Sequence, residues 1–172
     1  MSTSLIDSAL LQRLKGEART SLGRPYQNVT RSHSMSQANA SFVDCWINGW
    51  TGSPNWINYG LIYDGVVLPG MEEHYPETIT YLQNASPNIC MAGFAILRPQ
   101  SQLPVHVDER VSIGACSYHL GLSVPESCAL VVQDQTIWEE EGKLIQFDDA
   151  LPHYAPCGIG SFCTTRLRRG LE

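Results

Sequence analysis

Residues 97–109 read LRPQSQLPVHVDE, and the way this stretch is read decides how the rest of the chain folds. Side chains alternate between faces in an extended segment, so His106 and Asp108, with one residue between them, project to the same side. The turn formers from Pro99 to Pro104 place that pair at the end of a strand. A distant lone histidine, His153, follows the acidic turn at Phe147, Asp148 and Asp149. Two imidazole nitrogens and one carboxylate oxygen leave half of an octahedron open. That donor set suits a non-haem Fe(II) which must also take a cosubstrate and O2. Taken alone, His-X-Asp is a weak signal in a chain with five histidines. Its surroundings give it weight.

Working outward, 90–97, 117–124 and 143–147 alternate in polarity, and 129–133 is a short apolar run. Turns separate them at Arg98-Pro99, at Pro125-Glu126-Ser127 and at Glu141-Gly142. Short strands at close spacing predict an all-β sandwich or barrel rather than a βαβ fold. A jelly roll follows, because it presents side chains from two strands into one mouth. Upstream, 59–63 and 66–68 flank Asp64-Gly65 and read as a hairpin with a type I′ turn. A short helix is expected at 76–82, with Pro76 in its first turn. Leu5, Ala9, Leu10, Leu14 and Ala18 predict an N-terminal helix over about 4–22, ended by Gly23 and Pro25. Between them, 26–47 is mostly polar, with a candidate strand at 41–47 and a surface histidine at His33. Trp50 and Trp56, set among turn formers, read either as a substrate wall or as aromatic core packing.

Composition narrows the function classes. A chain of 172 residues, 43% hydrophobic, is long enough to bury one sizeable core, and 1–172 is read as a single domain whose metal-binding core spans about 88–166. Its formal net charge is -6, with no clustered basic face before the last few residues, which argues against nucleic acid as a partner. No apolar run approaches the roughly 20 residues needed to cross a bilayer, and the start lacks a secretion signal. The expected location is the cytoplasm. The six cysteines form no Cys-X-X-Cys pair, so a closed tetrahedral zinc site is not indicated.

Several pieces in order resemble the aspartyl/asparaginyl β-hydroxylase family of Fe(II)- and 2-oxoglutarate-dependent oxygenases. They are AILRPQSQLPVHVD at 95–108, YHLGLSVP at 118–125, WEEEGK at 138–143 and FDDALPH at 147–153. More loosely, NWINYGLIYDG at 55–65 and PETITYLQNASPNI at 76–89 also fit. The resemblance implies a double-stranded β-helix, a cupin-like jelly-roll barrel, with the N-terminal helices flanking it. It implies a dioxygenase that couples decarboxylation of 2-oxoglutarate to hydroxylation of a C–H bond. The expected substrate is an amino acid, a short peptide or a natural-product intermediate. His106 and His153 match the family's iron-binding histidines, Asp108 matches the carboxylate that some members keep, and His119 matches a histidine that contacts 2-oxoglutarate.

Two family arginines are replaced. Ser117 stands two positions before His119, and Cys163 stands ten after His153, so Arg166 becomes the expected anion-binding residue. It lies 13 residues past His153, an odd offset that calls for a bulge near Gly158 or Gly160 to restore facing. The tail PCGIGSFCTTRLRRGLE at 156–172 also lacks the family's usual closing apolar strand. These departures leave a competing expectation, a non-catalytic jelly roll that binds a metal or a small carboxylate. Of the remaining acids, Asp148 and Asp149 read equally as orienting groups for the metal ligands or as turn formers. Glu139–Glu141 read as a solvated loop.

Overall fold

The computed structural model describes residues 2–30, 44–48, 54–86, 88–108, 116–156 and 162–169, with 29–30 and 162–169 described by backbone alone. His33, Trp50 and residues 41–43 of the candidate strand at 41–47 lie outside the described residues, and the end of that strand falls in β3. In chain order the elements are β1 (Ser2–Leu5), α1 (Ser8–Ser21), β2 (Tyr26–Thr30), β3 (Trp46–Asn48), β4 (Trp56–Tyr63) and β5 (Val66–Val67). Then come α2 (Met71–His74), α3 (Pro76–Ala85), β6 (Ile89–Leu97), β7 (Gln102–His106), β8 (Cys116–Ser123) and β9 (Ala129–Val132). The chain continues through β10 (Gln135–Trp138), β11 (Lys143–Phe147), β12 (His153–Pro156) and β13 (Phe162–Arg169).

Strands β6 to β13 shuttle between two sheets. Among the described residues, a nine-stranded sheet runs β1-β11-β8-β13-β6-β4-β3-β2 with β5 on β4, and a four-stranded sheet runs β10-β9-β12-β7. The interleaving of β6, β8, β11 and β13 in one with β7, β9, β10 and β12 in the other is the double-stranded β-helix of a jelly roll. The two ladders stay separate sheets rather than closing into one barrel. No helix among the described residues is long and apolar enough to cross a membrane.

Helix α1 starts where Asp7 Oδ1 accepts from the Ala9 and Leu10 backbone N–H groups, both at 3.0 Å. Its stripe of Leu11, Leu14 and Ala18 is buried, and each leucine contributes about 1.5–3 kcal/mol by leaving water. Apolar spacing alone carried this helix back to about residue 4. Residues Ser2–Leu5 instead form β1, paired antiparallel with β11. Tyr118, Leu120 and Leu122 of β8 share the helix-side core with Leu11, Leu14 and Leu82. The opposite face of that sheet looks toward the four-stranded sheet. At the β4–β5 turn Asp64 and Gly65 have φ of 50° and 75°, as a type I′ turn requires.

Two departures from the expected strands bear on the site. Strand β7 includes Pro104, which a sheet interior would not accept, but among the described residues β7 is the edge of its sheet and pairs only with β12. A register irregularity between His153 and Ala155 follows, and it brings Leu103 and His106 into one cavity wall despite their odd spacing. The tail, poor in apolar residues, is nonetheless a strand. Backbone pairing of β13 with both β6 and β8 compensates for that composition.

Candidate active site

Strand register builds the site first. His106 on β7 and His153 on β12 are cross-strand partners, and their ring centroids lie 4.2 Å apart. Each imidazole is held by the same local device. His106 Nδ1 lies 2.8 Å from Pro104 O, and His153 Nδ1 lies 2.8 Å from Leu151 O. A carbonyl oxygen only accepts, so each Nδ1 carries the hydrogen and each Nε2 presents a lone pair. Asp108 completes the group: Oδ1 is 3.9 Å from His106 Nε2 and Oδ2 is 3.9 Å from His153 Nε2. Its backbone N–H donates to Asp149 O at 3.0 Å, which fixes the chain just past β7. One candidate ligand atom from each of the three lies within 4.8 Å of the others. Lone-pair nitrogens facing a buried carboxylate are a donor set that fits a divalent ion.

Burial pushes the His153 imidazole down to about 4, against a smaller opposing pull from its bond to Leu151. It is therefore neutral at physiological pH, as a metal ligand must be. The sign for stability follows directly. The unfolded chain takes up a proton near its ordinary value of 6.5, before the folded one does. Metal-free protein should keep its full stability above that value and lose it as pH falls toward about 4. The limiting loss from this group is on the order of 3 kcal/mol. Denaturant unfolding in chelator at several pH values checks it, because His153→Gln should flatten that part of the slope.

Beside the two histidines lies a narrow cavity of about 30 Å³ that reaches both sheets. Its polar lining is His106, His153, His119 and Glu139, and the rest is aliphatic apart from Trp56. His119 projects from β8 on the face away from Tyr118, Leu120 and Leu122, as alternation demands. Phe147 separates it from His153, with ring centroids at 4.9 Å and 5.3 Å respectively. Trp56 is buried and its ring sits 6.0 Å from that of His106, so it is part of this wall.

Arg166 occupies the register position opposite His119 on β13. The parity argument that made its placement awkward does not apply, because β12 and β13 belong to different sheets. Ser117, at the position of a family arginine, is fully buried and donates to Asp149 Oδ2 at 2.5 Å. Asp148 acts as a turn former, its Oδ1 accepting from Ala150 N at 3.0 Å.

Glu139 corrects the solvated-loop expectation. Glu140 and Glu141 do reach solvent, paired with Lys143 and Lys15. The Glu139 side chain, however, is 2% exposed, and its Oε1 is 3.6 Å from His119 Nδ1. Its backbone N–H donates to Cys128 O at 3.0 Å, extending the β9–β10 ladder by one step. With Ile137 half-buried and Trp138 exposed, alternation then turns Glu139 inward. That two-residue period was the available signal.

A family model described as Aspartyl/Asparaginyl beta-hydroxylase matches residues 9–159. Aspartate beta-hydroxylase domain-containing protein 2 of Xenopus tropicalis is 29% identical over 126 residues, which are 69% of this chain and 33% of that protein. The ornithine lipid ester-linked acyl 2-hydroxylase of Rhizobium tropici is 34% identical over 103 residues, 58% of this chain and 36% of that protein. The chain thus spans about a third of the length of the curated relatives it matches. Among solved structures, the viral collagen prolyl hydroxylase of Paramecium Bursaria Chlorella virus-1, in its 2OG complex, gives a TM-score of 0.46 at 13% identity. That match covers 69% of this chain and 81% of the viral one, and carries no functional weight.

Proposed function

Because the chain belongs to the aspartyl/asparaginyl β-hydroxylase family, we propose that it is a hydroxylase dependent on Fe(II) and 2-oxoglutarate. The observation that carries this reading is the pair of Nε2 lone pairs, fixed by local carbonyls and converging on Asp108. His106, Asp108 and His153 would hold the iron. When bound, iron and 2-oxoglutarate together supply the oxidising chemistry that replaces a substrate C–H by C–OH. The chain supplies ligand placement, a largely aliphatic cavity that limits water, and the wall against which the substrate is oriented. A free amino acid, a short peptide or a natural-product intermediate is the proposed substrate class.

His119 is the proposed contact for a cosubstrate carboxylate. No lysine or arginine occurs among the described lining residues, so the cation for a dianion has to come from elsewhere. Arg166, opposite His119 in register, is the proposed source. Anaerobic titration with Fe(II) and then 2-oxoglutarate should produce a visible charge-transfer band. His119→Ala and Arg166→Ala should each raise the 2-oxoglutarate Kd about tenfold or more at unchanged iron content. Iron lost from His119→Ala would make that residue a ligand and overturn its assignment. If neither the band nor succinate formation appears in the unaltered protein, the non-catalytic binder replaces this proposal.

A further inference from the structure

We propose that Glu139 is a specificity residue, accepting a hydrogen bond from an ammonium or hydroxyl group of the substrate. The proposal rests on reading this cavity as the substrate site, and it names what the site selects. Glu139 Oε2 is buried without a hydrogen-bond partner, and so is His119 Nδ1 beside it. Neighbouring acids pair closely with lysines at 2.6 and 2.7 Å, whereas the partner that the described residues offer Glu139 is His119, at 3.6 Å and on Oε1 alone. A carboxylate in an apolar wall is costly to the fold, and among the described residues the long contact from His119 to Oε1 leaves Oε2 uncompensated. Its oxygens can only accept, so the matching ligand group must donate. A ligand carboxylate at the same place would meet like charge. Glu139 therefore belongs on the substrate side of His119, and Nε2, the ring nitrogen away from Glu139, is the one that would meet a cosubstrate carboxylate.

Four-carbon probes that differ only in the head group test this: n-butylamine, 1-butanol and butyrate. Each is titrated by ligand-observed NMR into the Fe(II)-loaded anaerobic protein and into the chelator-treated protein. Butylamine should bind at least about tenfold more tightly than butyrate in both states, with butanol between them. Glu139→Gln should erase the preference for the amine, keep the iron content, and leave Tm unchanged or higher. The proposal is overturned if butyrate binds as well as butylamine, if none of the three binds, or if Glu139→Gln preserves their order. A clear fall in Tm on Glu139→Gln would also overturn it, because the carboxylate would then be structural. Failure of the unaltered protein to hold iron strikes the metal assignment alone, since the chelator-treated arm still reads the probes.

Discussion

Alanine at His106 or at His153 should abolish stoichiometric iron binding, with affinity falling by at least about 100-fold. Each residue would supply one of the two nitrogen donors of the proposed site, and among the described residues no third imidazole joins the group. Among the described lining residues His119 is the one further histidine, and Phe147 stands between it and His153. Asp108→Ala should cost less, because both nitrogens remain and their orienting carbonyls are backbone atoms. Metal analysis after anaerobic loading and desalting reads all three variants. Full iron retention by His106→Ala or His153→Ala would remove the triad as the metal site.

Gly121→Ala is expected to be strongly destabilising although it lies away from the triad. A Cβ there would sit 2.3 Å from Glu140 O and 2.7 Å from Val124 Cγ2. The backbone cannot yield cheaply, because Gly142 N donates to Gly121 O at 2.8 Å across the same contact. The cost should be about 3 kcal/mol, or roughly 6–12 °C in Tm for a chain of this size. Residues 139–142 must also shift, so Glu139 moves with them and the cavity wall changes. Gly16→Ala is the matched control. Nothing lies within 4 Å of its added Cβ in α1, and helix propensity predicts a gain of about 0.5–1 kcal/mol. Thermal unfolding of the two variants side by side separates close approach from chain entropy.

Much of this was legible in the chain because local chemistry and tertiary demand agree. The stretches at 117–124, 129–133 and 143–147 emerge as β8, β9 and β11 to within a residue or so, since each alternates or is continuously apolar. Asp64-Gly65 turns as its φ preferences dictate, and Pro76 opens α3. The strands that escaped, β1, β2, β10, β12 and β13, are polar or short and owe much of their form to the strands they pair with. Pro104 disguised β7 as a turn, because a sequence does not display which strand is an edge. At the site, His106, Asp108 and His153 could be singled out as residues with the right chemistry. Which strands pair, and hence which residues meet, is a property of topology. Glu139 was obscured by its neighbours: three consecutive glutamates look solvated, and only the strand period distinguishes the first from the other two.

The edge position of β7 also sets a time scale. Edge strands open more readily than their interior neighbours, and among the described residues β7 has a neighbour on one side only. Two of the three proposed ligands come from β7 and its extension, and the third from β12, so a bound ion would rivet an edge to the interior. Its residence time would then be governed by fraying of β7 rather than by exchange of individual coordination bonds. Release of iron to a chelator should accordingly accelerate in urea well below the concentration that unfolds the rest of the jelly roll.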